Sequence, residues 1–326
     1  MPDRPRRTPT RTLPRALGIA ATAALALTAA AAPAAADPAG ERPPPGGRIA
    51  FDTDTGGERY DDTVTVIDPR GEVRADTGDL GIDVSGMRMS PDGARIAVQG
   101  FSGPAPRAYI LPVGAGGLER IPMEHGGLQW QPDWSPDGTR VAFAVEDPCM
   151  RNCPVVEDGV HTYTVGDEHS RPLLDARDIP DHTSVLWDPR EEWIASHPRD
   201  TVSRPRIDLL DRETGETVRS IGMESRIFRA QWTPDGSRLL IATVEGPEGG
   251  EQTTRAWTLD RGSAEPREEF SLPGFTPFDW SADGEWIVYP GPGGQEEHGV
   301  HIAPVDDVGD SRLIHETAAP PRHLTW

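Results

Sequence analysis

Short apolar runs recur along this chain from about residue 46 onward, each bounded by turn residues. Ile96-Ala97-Val98, Val141-Ala142-Phe143, Leu239-Leu240-Ile241 and Ile287-Val288-Tyr289 are typical. They are too short for helices and read as buried strands. Some residues upstream, polarity alternates instead. Met87, Pro132, Val185, Ala230, Phe278 and Leu324 are apolar, and the residues that follow them (Arg88, Asp133, Leu186, Gln231, Asp279 and Thr325) are mostly polar. A period of two marks a strand with unlike faces.

Between each alternating segment and each apolar run stands a repeated turn: Met89-Ser90-Pro91-Asp92-Gly93, Trp134-Ser135-Pro136-Asp137-Gly138, Trp187-Asp188-Pro189-Arg190-Glu191, Trp232-Thr233-Pro234-Asp235-Gly236 and Trp280-Ser281-Ala282-Asp283-Gly284. Ser or Thr, then Pro, then Gly at the fourth place is type I turn chemistry, with Gly free to take the left-handed conformation that follows in a bulged hairpin. The copy with Arg190 and Glu191 departs from the pattern, so a different turn is expected there. A sixth Met/Trp position, Trp326, ends the sequence, and successive positions lie 45, 53, 45, 48 and 46 residues apart. Further strands follow in every unit: Thr63–Ile67, Ala108–Leu111, His161–Val165, Ile207–Leu210, Ala256–Leu259 and Val300–Ala303, then a more polar fourth strand such as Thr217–Ile221. Four strands in roughly 45 residues make one blade of a β-propeller.

Arg48-Ile49-Ala50-Phe51 matches a second strand that has no first strand before it, because Pro43-Pro44-Pro45 lacks the donors an inner strand needs. His323-Leu324-Thr325-Trp326 is a first strand with no second. The expectation is an all-β, six-bladed β-propeller of four-stranded antiparallel blades, closed where the C-terminal strand pairs with the N-terminal strands. Closure of this kind removes sheet edges. The repeated Trp-Ser-Pro-Asp-Gly turn, one variable residue, an apolar strand and a looped hairpin resemble the TolB-type (WD-repeat-like) β-propeller family. The resemblance covers about residues 46–326 and concerns the propeller region only.

Composition narrows the setting. Residues 1–36 hold five arginines, an apolar Ala/Leu stretch and Ala34-Ala35-Ala36, the pattern of a secretory signal peptide, and 37–45 form a Pro-rich linker. A secreted, extracellular or periplasmic protein is expected, monomeric and with no membrane span once the signal is cleaved. The formal charge is −21, which disfavours nucleic acid and anionic lipid as partners. Cys149 and Cys153 are expected to form a local disulfide in an exported protein.

The candidate chemistry is sparse. No Gly-x-Ser-x-Gly nucleophile motif occurs. Asp52-Thr53-Asp54, with Asp61-Asp62, reads as a solvated hairpin loop, with a structural calcium site as the alternative; otherwise no cofactor or metal site is expected. The histidines have no shared spacing. The per-blade tryptophans read as inter-blade packing. First strands border a propeller's channel, so their polar residues are the candidate binding set: Arg88, Gln131, Asp133, Arg229, Gln231, Asp279, His323 and Thr325. The functional expectation is a non-enzymatic scaffold that binds a protein or small ligand at the cell envelope. The alternative is a metal-dependent propeller hydrolase or lyase using channel carboxylates.

Overall fold

The computed structural model describes residues 46–53, 60–114, 117–124, 127–146, 159–175, 182–198, 205–291 and 298–326. All of them belong to one compact unit, Pro44–Trp326. The segments expected to be a signal peptide (1–36) and a Pro-rich linker (37–45), together with Asp54, His125, Cys149 and Cys153, lie outside the described residues. Among those described, no helix is long and apolar enough to cross a membrane.

Six four-stranded antiparallel sheets make six blades. Five take their four strands in chain order, with innermost strands Asp83–Met89, Leu128–Trp134, His182–Trp187, Arg226–Trp232 and Asp279–Trp280. We number these blades 2 to 6. Blade 1 is composite: Pro321–Thr325 pairs with Ile49–Thr53, which continues to Thr63–Ile67 and Val73–Asp79. The closing register sets Ala50 opposite Thr325 and Phe51 opposite Leu324. Innermost strands of neighbouring blades touch one another, so together they surround the ring axis.

The second strands are apolar throughout because both their faces are buried between blades. Successive side chains point to opposite faces. Ile96 and Val98 pack with blade 1, while Ala97 between them packs with Trp134 of blade 3. In blade 3, Val141, Phe143 and Val145 face blade 2, whereas Ala142 and Ala144 meet Trp187 of blade 4. Ala195 sits in one cluster with Trp232, and Ala242 in one with Trp280. Bulk on the backward face and alanine on the forward face leave room for the next blade's tryptophan. Six such clusters, one per blade interface, form the core.

The repeated turns fold alike. The Ser90, Ser135, Thr233 and Ser281 hydroxyls each donate to the Asp two places on, at 2.5–2.7 Å. The glycines at the fourth place have φ between 64° and 71°. The expectation of a different turn at Trp187–Glu191 is not met in the backbone. Glu191 N–H donates to Asp188 O at 2.8 Å, and Glu191 takes φ 57° where the others use glycine. Asp188 supplies the missing side-chain acceptor itself, taking the N–H groups of Arg190, Glu192 and Trp193. Arg261 forks onto both Asp188 oxygens and lies over the Trp193 ring.

Arginines lace these turns to one another around that face. Arg48 donates to Gly93 O, Arg190 to Asp235 O and Arg238 to Asp283 O, while Arg140 donates to Glu191. Each reaches from one blade's turn to the next.

Candidate functional site

The residue before each Met or Trp falls at the same level of its innermost strand: Arg88, Asp133, Leu186, Gln231, Asp279 and Thr325. Their first role is to join blades. Thr325 Oγ1 accepts from Met89 N–H at 3.0 Å, Asp133 Oδ2 from Trp187 N–H at 2.8 Å and Asp279 Oδ2 from Trp326 N–H at 3.1 Å. In each case the acceptor sits one blade before the donor. Trp134 Nε1 donates to Arg88 O at 3.0 Å, and Gln231 Nε2 reaches Trp280 O at 3.5 Å.

Four of these charged groups meet across the axis. Arg229 donates through Nε to Asp279 Oδ1 at 2.7 Å and through Nη2 to Asp279 Oδ2. Arg88 Nη2 donates to Ala230 O at 2.7 Å, its Nε lies 4.0 Å from Asp133 Oδ1, and its Nη1 lies 3.9 Å from Asp279 Oδ1. The Asp279 side chain is 2% exposed, Arg229 14% and Arg88 18%. Asp133 keeps about a fifth of its exposure, and that part faces the channel rather than bulk water. Burial raises the Asp133 carboxyl, against the opposing pull of Arg88 and the Trp187 N–H. Burial, reinforced by the like charge of Arg88, pushes Arg229 down to about 10 against the attraction of Asp279. The network has one loose end: Arg88 Nη1 is buried with no hydrogen-bond acceptor among the described residues.

Cavities lie on either side of this cluster, and Arg88 lines all of them. On the face of the repeated turns lies a cavity of about 440 Å³, lined by Arg88, Asp133, Gln231, Asp279 and Thr325 together with Trp134, Trp187, Trp232 and Trp326. The opposite mouth holds two contiguous cavities of about 210 and 250 Å³ that share Arg88, Gln131, Phe228 and Arg229. His323 lines the first of them. The eight residues singled out in the sequence are therefore divided between two mouths, with Arg88 common to both.

Backbone bulges aim several of these side chains, and the sequence pattern does not reveal them. Register shifts interrupt the innermost strands between Val84 and Gly86, Trp130 and Asp133, His182 and Ser184, and Ile227 and Arg229. A bulge re-aims the side chains beside it. Gln131 sits within one at φ 40°, its N–H held by Gln99 Oε1 at 2.7 Å.

A second cluster clasps the closing blade. Arg322 donates from Nε and Nη2 to Asp52 Oδ2 at 3.2 and 3.0 Å and pairs with Asp62. Backbone N–H and Nδ1 of His323 approach Asp52 Oδ1 at 2.7 and 3.0 Å. Asp62 also accepts from Val84 N–H at 2.6 Å. Its carboxyl is raised by burial, which outweighs that bond and Arg322. Asp52 and Asp62 thus face an arginine, a role the acidic segment alone did not indicate. Among the described residues, no group of three His, Cys, Asp or Glu side chains is placed to hold a metal ion.

No family model matches the sequence, and no curated protein sequence matches it. Solved structures do. TolB from Acinetobacter baumannii matches 86% of this chain and 66% of its own, at 18% identity and a TM-score of 0.62. The putative TolB from Agrobacterium tumefaciens matches 85% of this chain and 90% of its own, at 14% identity and a TM-score of 0.54. A chain of a nidogen/laminin complex matches 86% and 98%, at 11% identity and a TM-score of 0.57. The chain spans just under two thirds of the Acinetobacter protein. Identities this low speak to architecture: the chain is a six-bladed β-propeller with the fold of the TolB propeller.

Proposed function

We propose that this propeller is a non-enzymatic binding scaffold of the cell envelope or extracellular space, and that it engages a protein or ligand through the mouth on the turn face. One observation carries the reading: the Asp133 and Asp279 carboxylates accept from Arg229 and from the backbone N–H groups of Trp187 and Trp326, so the channel carboxylates are committed to structure. A hydrolase or lyase would need those carboxylates for a metal ion or a proton in flight. The turn-face mouth remains as a rigid concave surface. It is lined by tryptophans, and Nε1 of Trp187, Trp232 and Trp326 has no acceptor among the described residues. Concave, mostly apolar sites with a few polar groups suit binding. The TolB-like fold and the secretory pattern of residues 1–36 support the envelope setting.

The test compares three proteins on envelope fractions: the natural chain, an Ala282→Arg variant at the turn-face mouth, and a Val218→Arg variant on an outermost strand. A partner retained by the natural chain and Val218→Arg but lost from Ala282→Arg supports the scaffold reading. A partner held equally by all three refutes use of this mouth. A hydrolytic or lyase activity removed by Asp133→Asn would replace the scaffold with an enzyme.

A further inference from the structure

The two mouths differ in charge although one ion-pair cluster separates them. The turn-face cavity is lined by Asp92, Asp133 and Asp279 beside Arg48 and Arg88. Around the two cavities of the opposite mouth stand Arg88, Arg226, Arg229, Arg322 and His323, and no carboxylate is among the described lining residues. This is unusual in a chain with a formal charge of −21. Arg229 and Arg322 are tied to Asp279 and to Asp52 and Asp62. Two donor groups are left over. Arg226 is exposed and has no ion pair among the described residues. Arg88 Nη1 is buried without an acceptor. Buried donors are almost always paired in proteins, so such a group marks a place where an acceptor belongs.

The same mouth has an aromatic rim. Phe275 is 48% exposed yet packs edge-on to Phe228 at 5.2 Å, and Phe228 packs edge-on to Phe278 at 6.1 Å. Phe228 and Arg88 line both cavities, so the phenylalanine faces of one adjoin the space that Arg226 lines in the other. Amide and hydroxyl groups of Gln99, Gln131, Ser85 and Ser184 complete the wall.

We propose that this second mouth is a binding site for a carboxylate carried on an aromatic or large apolar group, with Arg226 meeting the carboxylate, the Arg88 guanidinium adding positive charge beside it, and Phe228, Phe275 and Phe278 covering the apolar part. Guanidinium groups present paired donors that match a carboxylate, and charge-assisted bonds of this kind are stronger than neutral ones. The volume of each cavity suits a small acid or the end residue of a chain. The site is separate from the turn-face mouth, so its test does not depend on the scaffold reading.

The probes are N-acetylphenylalanine and its uncharged counterpart N-acetylphenylalanine amide, titrated calorimetrically into the full chain. The acid is expected to bind at least tenfold more tightly than the amide, and added salt should narrow that gap. Arg226→Ala should weaken the acid about tenfold and leave the amide unchanged. Phe275→Ala should weaken both. Equal binding of acid and amide, or no binding of the acid, overturns the proposal. So does an Arg226→Ala variant with an unchanged melting temperature and unchanged acid binding. Both substituted residues are exposed, so neither variant is expected to disturb folding. A tetrapeptide ending in phenylalanine separates the sources. If it binds tenfold more tightly than the single residue, the ligand is a peptide C-terminus; if it does not, the site takes a free small acid.

Discussion

Single residues decide how closely the blades approach. Ala97, Ala142, Ala195 and Ala242 occupy forward faces of second strands and share clusters with the next blade's tryptophan. Enlarging one of them forces two well-packed surfaces apart, at a cost of about 1–3 kcal/mol. Ala142→Leu is therefore expected to lower the denaturant midpoint, whereas Val73→Leu on an exposed outer strand should leave it unchanged. An Ala142→Leu protein as stable as the natural one would disprove tight forward-face packing. The turn aspartates set a different dependence. Asp137 is lowered from its ordinary 3.8 to about 2 by the Ser135 hydroxyl and the Thr139 N–H, and Asp235 likewise to about 2 by the Ser237 N–H and the Thr233 hydroxyl. A carboxyl whose folded-state pKa is depressed contributes stability that is complete above its unfolded pKa and vanishes as pH falls through the folded value. The melting temperature should thus drop between about pH 4 and pH 2. Asp137→Asn should melt lower at neutral pH and show a smaller drop across that window.

At the level of strands and turns, much of the structure was legible in the sequence. Thr63–Ile67 is a strand with the bounds its pattern predicted, and the apolar runs after each turn became second strands buried on both sides. Period and turn chemistry are local signals, so one chain shows them directly. What stayed hidden is relational. No local pattern could show that Asp188 replaces both polar side chains of its turn, because that rests on Arg261, distant in sequence. Nor did spacing announce the bulges that aim Gln131 and Arg229. Polarity alone picked out the innermost-strand residues but not their division between two mouths, since that depends on which charges meet across the axis. Arg226, which has no ion pair among the described residues, begins an innermost strand and lies outside the repeated motif, so the repeat does not point to it. Two of the arginines lacing the turns are readable in principle, since Gly138-Thr139-Arg140 and Gly236-Ser237-Arg238 share one spacing.

For the molecule as a whole, the decisive element is the composite blade. Pro321–Thr325 pairs with Ile49–Thr53, Leu324 joins the core shared with blade 6, and Trp326 N–H is bonded to Asp279. Deleting residues 323–326 removes the Asp52–His323 contact, the Asp279–Trp326 bond and two of the three closing register pairs. The melting temperature of that truncated protein should fall much further than after removal of four surface residues elsewhere. Equal melting temperatures would mean the ring does not depend on its closure.

That composite blade also orders events in time. Blades 2 to 6 each draw their strands from one continuous stretch, so each can assemble from short-range hairpins while the chain is still being made. Blade 1 cannot, because its partners are separated by most of the sequence. Closure over a span that long costs only logarithmically more than over a short one. Until residues 321–325 arrive, the inner edge of Ile49–Thr53 is unpaired and able to recruit a strand from another chain. A ring held open in this way would exchange that strand between two copies, so the fold's main hazard is a swapped dimer formed before closure rather than the unravelling of a finished ring.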